Sequence, residues 1–190
     1  MTNKDKMLNH ELYNSNDLEL VNDRERVKDL CFKFNNTLPS KRDNQRIILK
    51  EIIGDIPNKI LIEAPFYCDY GYNIKLGENF YANHNLILLD AGGITFGENV
   101  YIGPSCEFYT SLHPIEYEIR NKDFESAKEI IIGSNVWFGG GVKVLPGVHI
   151  GNNVVIGAGS VVTKDIPDNV VAVGNPCKII RKIEKEIKKI

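Results

Sequence analysis

The amino-acid sequence predicts a mainly β protein, a parallel β-helix written in a six-residue repeat with a helical segment at each end. Three observations carry this. Apolar residues recur at every sixth position in the series Ile132, Phe138, Val144, Ile150, Ile156, Val162. Glycine follows several of them (Gly133, Gly139, Gly151, Gly157), and a second small or branched residue comes four places after each: Val136, Val142, Val148, Val154, Ser160, Ile166. The frame stops after Phe108 and resumes at Ile132 without losing phase. A strand alternates with period two and a helix with period 3.6, so period six with a trailing glycine suits a short strand and a tight corner. Three such units close a triangular coil of about eighteen residues that stacks its strands in parallel on the next.

Taken in order, residues 1–58 read as an N-terminal helical segment. Asn16 and Glu19 have the spacing of a capping box, and Val27, Leu30, Cys31 and Phe34 share one helical face. Ser40, after Pro39, opens a second helix with the stripe Ile48, Leu49, Ile52, Ile53 and Gly54 as its stop. Residues 59–176 form the β-helix. Its early coils show a shifted frame (Leu76-Gly77, Phe80, Ala82, Leu88), and the main frame is set at Phe96-Gly97, Val100, Ile102-Gly103, Cys106 and Phe108. An inserted loop, 109–131, interrupts it. Residues 177–190 are basic and read as a helix that covers the open sheet edge of the last coil.

The chain's 190 residues suit one principal domain with a smaller appendage. A net charge of -2 gives no reason to expect nucleic acid or a membrane surface as partner. Met1 to His10 lacks the apolar stretch of a signal peptide, and no apolar run is long enough to span a bilayer. Cys31, Cys68, Cys106 and Cys177 form no C-x-x-C pair, which argues against a zinc site or disulfide framework and fits a reducing cytoplasm.

Chemistry is expected in the interruption, because a long loop in a regular solenoid is usually functional. Of the four histidines, His10 and His149 read as solvated surface residues, and His84 follows Asn83 in an early coil. His113 stands in the loop immediately before Pro114, which biases its backbone toward an extended conformation. A histidine titrates near neutrality and is the usual general base.

Several segments carry a more specific signal: Cys68-Asp-Tyr-Gly-Tyr-Asn-Ile, Phe80-Tyr-Ala-Asn, Thr110-Ser-Leu-His-Pro-Ile, Ile132-Gly-Ser-Asn-Val-Trp-Phe-Gly-Gly, Gly157-Ala-Gly-Ser-Val-Val-Thr-Lys-Asp-Ile-Pro and Gly174-Asn-Pro-Cys-Lys-Ile-Ile-Arg. Together, and with the Glu11-Leu-Tyr opening, the chain resembles the maltose and galactoside O-acetyltransferases among the hexapeptide-repeat acyltransferases. The resemblance implies a left-handed coil, against the usual crossover rule. It also implies acetyl-CoA as cosubstrate, a sugar acceptor, no required metal, and a homotrimer with active sites between subunits. His113 would be the base and Asn83 its catalytic neighbour. Asp69, Asn83 and Asp17 would bind the acceptor, with Ser15 and Asn16 as other carriers of the N-terminal contact. Trp137, Gly140, Ala158, Thr163, Lys164, Lys178 and Arg181 would contact coenzyme A.

Each of these residues also has a plainer reading. Trp137 could simply pack at a corner, Gly140 and Ala158 suit tight turns, Asp69 suits a turn, and the basic residues suit solvent. The sequence departs from the family at Asp90-Ala91-Gly92-Gly93, where two acidic residues are usual, at His84, where an aromatic is usual, and at Lys128-Glu129, where Lys-Pro is usual. Three other readings of the solenoid remain: an acetyltransferase for serine, an antibiotic or an amino-sugar; a zinc carbonic anhydrase; and a non-catalytic structural β-helix. The second needs histidines five apart, yet the positions flanking His113 at that spacing are Phe108 and Glu118.

Overall fold

The structure, a computed structural model, describes residues 1–184. From Ile60 onward the chain winds through three parallel sheets. One contains Ile60–Ile62, Phe80–Ala82, Tyr101–Ile102, Val136–Phe138, Val154–Ile156 and Val170–Val173; the second runs from Phe66–Cys68 to Val161–Val162; the third from Ile74–Leu76 to His149–Ile150. The six-step residues Ile132, Phe138, Val144, Ile150, Ile156 and Val162 are all buried, as are Val136, Val142, Val148, Val154, Ser160 and Ile166. Inside the prism Phe80, Phe96, Phe108 and Phe138 stack edge to face, with centroids 5.2, 5.2 and 5.3 Å apart.

The repeat glycines serve a different purpose from the one their position suggests. Gly97, Gly133, Gly139, Gly151 and Gly157 do not have the left-handed backbone of a tight corner. They are small because coils stack there: a Cβ on Gly139 would lie 2.5 Å from the Ala158 nitrogen, and one on Gly133 2.7 Å from Gly151. Along one corner the left-handed turn falls two places later, on Asn79, Asn99, Asn135 and Asn153, and on Asn169 in the last coil (φ 53 to 60°), whereas after Gly139 and Gly157 it falls on Gly141 and Gly159 (φ 71°). These asparagines pile up one corner, and their amides bond between coils, Asn79 to Asn99 at 2.8 Å and Asn153 to Asn169 at 2.9 Å.

Below the coil lie three helices, α1 (Asn3–Leu8), α2 (Leu18–Asn35) and α3 (Arg42–Ile53). Val27, Leu30, Cys31 and Phe34 of α2 and Leu49, Ile52 and Ile53 of α3 bury against the first coil and close its lower end. The cap of α2 falls on Asp17 rather than Asn16, and α3 begins at Arg42, two places after Ser40.

The loop at 109–131 has secondary structure of its own. Ser111–Leu112 and Phe124–Ala127 pair antiparallel, a short helix α4 (Tyr117–Arg120) forms part of the turn, and Tyr13–Asn14 adds a third strand. The hairpin closes where the Lys128 amide donates to the Thr110 carbonyl at 2.9 Å. Ile130 then pairs with Ile94, in the register the unbroken frame requires.

At the other end the expected helix over 177–190 gives way to a strand. Lys178–Lys182 turns back antiparallel on Val170–Val173. Those residues would otherwise leave unpaired N–H and C=O groups, which a returning strand satisfies directly and a helix does not. Residues 185–190 lie outside the described part. Among the described residues no helix is long and apolar enough to cross a membrane.

Candidate active site

The hairpin, the N-terminal segment and the first coils enclose a cavity of about 390 Å3. His113 reaches it from the hairpin, Asp69 from the end of strand Phe66–Cys68, Arg24 and Lys28 from α2, and Ser15 and Asn16 from the turn before α2. Glu125 lies opposite His113 on the hairpin, its Oε1 3.9 Å from the imidazole Nε2, and its Oε2 accepts the Tyr13 hydroxyl at 3.0 Å. The strand pairing aligns Tyr13 with Glu125. Arg24 donates to the Tyr70 hydroxyl at 2.6 Å and the Ser15 carbonyl at 2.7 Å, tying helix, turn and coil together.

Burial pushes the Asp69 carboxyl up to about 6. Behind it the fully buried Asp90 accepts the amides of Asp69 and Tyr70 at 3.0 and 2.9 Å, and burial pushes its carboxyl up to about 7. Both acids hold protons in the folded chain after the unfolded chain has lost them near pH 4, so their contribution to stability falls as pH rises from about 4 to 7. Asp90→Asn should therefore flatten this fall and unfold at higher urea than the parent near pH 8; equal pH slopes for the two proteins would contradict it.

A second hollow, about 430 Å3, lies on the outer face of the first sheet, lined by Tyr81, Asn83, Tyr101 and Trp137. Tyr81, Tyr101 and Trp137 are register neighbours, so their rings form an outward ladder that continues through Val155 and Val171 to Arg181. Trp137 is 57% exposed. Gly140 and Ala158 stack at the corner that follows this face, where the Gly159 amide donates to Gly140. Lys178 and Arg181 are exposed on the returning strand, and Thr163 and Lys164 are exposed at a different corner, after Val161–Val162.

The sequence-derived candidates thus divide. His113 and Asp69 share one cavity; Asn83 and Trp137 share another, on a different face. Asp17 is in neither: its carboxylate caps α2 through the Glu19 amide at 3.1 Å and accepts the Asn3 side chain at 2.9 Å, leaving Ser15 and Asn16 in the wall. Glu125 and Arg24 were not singled out from the sequence. Glu125 sits in a charged run that reads as solvated loop, and its only signal is the short apolar-polar alternation at Phe124–Ala127. Arg24 carries no signal beyond lying on the face of α2 that also bears Lys28 and Cys31.

Comparison with known proteins agrees with this architecture. Residues 6–57 match the maltose acetyltransferase hexapeptide capping motif, and residues 129–164 match the six-repeat bacterial transferase hexapeptide. The galactoside O-acetyltransferase of Escherichia coli strain K12 is 45% identical over 160 residues, spanning 84% of this chain and 79% of its own. The crystal structure of a maltose O-acetyltransferase from Clostridium difficile 630 superposes with a TM-score of 0.95 at 51% identity, covering 97% of this chain and 99% of that one. A galactoside acetyltransferase in complex with coenzyme A superposes at 0.92 with 41% identity, covering 97% and 92%. The left-handed parallel β-helix and its helical base match these enzymes along nearly the whole chain, and the chain belongs to the maltose and galactoside O-acetyltransferase family of hexapeptide-repeat acetyltransferases.

Proposed function

We propose that the chain transfers acetyl from acetyl-CoA to a hydroxyl of a maltose-, glucose- or galactoside-like sugar, by direct attack in a ternary complex with His113 as general base. The observation that carries this is the shared cavity of His113 and Asp69, with the Glu125 carboxylate beside the imidazole. His113 takes the proton of the acceptor hydroxyl as its oxygen bonds to the thioester carbon. The C–S bond then breaks, and the imidazolium returns the proton to the departing thiolate. Glu125 stabilises the imidazolium by its opposite charge. Asp69 accepts a hydrogen bond from another hydroxyl of the sugar, with Ser15 and Asn16 supplying the contact first assigned to Asp17.

The two hollows support a trimer. Asn83 does not line the cavity of its own His113, and the aromatic ladder faces outward. We place the Asn83 and Trp137 face of one subunit against the His113 cavity of the next. Trp137, Gly140 and Ala158 line the pantetheine path, and Lys178 and Arg181 meet phosphate from the returning strand. Thr163 and Lys164 come from the opposing corner of the neighbouring subunit. We assign the activity to the cytoplasm, where the scattered cysteines, which form no C-x-x-C pair, would stay reduced.

The test is thiol release from acetyl-CoA against a panel of maltose, glucose, a galactoside, serine, an amino-sugar and an aminoglycoside. The proposal expects the sugars bearing only hydroxyls to turn over fastest. Turnover confined to an amine or to serine would replace the acceptor assignment, and none with any acceptor would overturn the activity.

A further inference from the structure

Cys31 and Cys68 have no part in the transfer described above. Cys31 lies on the face of α2 that packs on strand Phe66–Cys68, and its thiol is close enough to that of Cys68 for each to shift the other's titration. They are only 2% and 6% exposed, yet both open onto a cavity of about 270 Å3 between α2 and the first coil, walled also by Lys28, Phe32, Asn35 and Tyr67. A structural cysteine behaves as a small hydrophobe, and Cys31, Cys68 and Cys106 all belong to the buried core. A facing pair at the wall of a cavity has a chemistry that packing does not require. The Cys68 thiol beside it holds the Cys31 thiol below its ordinary range, whereas the Cys31 thiol and burial push Cys68 well up. The pair therefore has an attacking thiol and a resolving thiol.

We propose that Cys31 and Cys68 form a dithiol modification site that a low-molecular-weight disulfide oxidises to an intramolecular disulfide. The Cys31 thiolate attacks one sulfur of the small disulfide, forming a mixed disulfide and releasing the first small thiol. Cys68, losing its proton, then attacks the Cys31 sulfur and releases the second. Two protein thiols are oxidised and one small disulfide is reduced to two thiols.

The bond would tie α2 to the first coil directly behind the acceptor cavity. Asp69 follows Cys68 in sequence, and Lys28 and Arg24 stand about one and two turns before Cys31 on α2. The oxidised protein should therefore bind its acceptor differently while handling acetyl-CoA as before, a consequence that rests on the acceptor assignment above.

The folded protein is incubated with hydroxyethyl disulfide, alkylated under denaturing conditions and mapped by peptide mass. The expected product is one crosslinked peptide pair joining Cys31 to Cys68, reversed by dithiothreitol, absent in Cys31→Ser and Cys68→Ser and retained in Cys106→Ser. A stable mixed disulfide on one cysteine, or full retention of four alkylatable thiols, would overturn the site. On the crosslinked protein, the acceptor KM should shift by at least about fivefold with acetyl-CoA KM unchanged; unchanged acceptor KM overturns the coupling to the cavity. A crosslink that forms in a chain without transferase activity would instead count against the proposed function alone.

Discussion

His113→Ala should lose about 10²–10⁴-fold in turnover and still bind coenzyme A, the span that a positioned general base contributes. The side chain stands on the hairpin facing the cavity of about 390 Å3, and its removal takes away the proposed acceptor of the hydroxyl proton. The wall formed by Tyr13, Arg24, Asp69 and Tyr70 does not depend on it, because Arg24 links helix, turn and coil, and Tyr13 bonds to Glu125. The aromatic ladder bearing Trp137 lies on another face, so coenzyme A affinity should stay near the parental value. Steady-state transfer and calorimetric titration with coenzyme A together check this. Near-parental turnover would remove His113 from the base role, and joint loss of turnover and coenzyme binding would point to structural damage instead.

Phe108→Ala should cost about 3–5 kcal/mol of stability, the usual range for emptying a buried aromatic site. Phe108 is fully buried and lies between two ring partners, Phe96 at 5.2 Å and Phe138 at 5.3 Å, so its loss breaks the interior stack in the middle. It also precedes the hairpin by two residues, at the junction where Thr110 bonds both Leu89 and Gly92. The cavity would sit under the base of the hairpin that carries His113. Urea unfolding of parent and variant measures the cost, and a difference below about 1 kcal/mol would mean that the coil collapses around the gap and that the stack carries little of the stability.

The repeat was legible because an inward position every six residues is a burial pattern, and burial is what hydrophobicity encodes. Ile132, Phe138 and their successors are inward as read. What the glycines and asparagines do was less accessible. Both residue types suit a left-handed turn, and which of Gly133 or Asn135 takes it depends on how closely the next coil stacks. The C-terminal strand was misread for a related reason: Lys178–Lys182 is basic with two isoleucines, and only the unpaired edge of Val170–Val173 makes it a strand.

In the candidate site, the placement of His113 was legible from its position inside the one interruption of the frame. The wall around it was not. Glu125 reaches it through a strand pairing with Tyr13, more than a hundred residues away in sequence, which no local pattern records. Asp17 has the right chemistry for an acceptor contact, but its position before Leu18 makes it a helix cap, and Ser15 and Asn16 take the cavity wall. Asn83 and His113 were read as one constellation; within a chain they line separate hollows.

That separation gives the most direct test of an active site shared between subunits. His113→Ala and Asn83→Ala chains are each purified, mixed in equal amounts, dissociated and reassembled, and assayed for acetyl transfer. In a closed ring with one site per interface, random reassembly pairs an intact His113 with an intact Asn83 at about a quarter of the sites. The account predicts recovery to about that fraction of parental activity. Activity that stays at the level of the unmixed variants would contradict it, and would place both residues of each working site in a single chain.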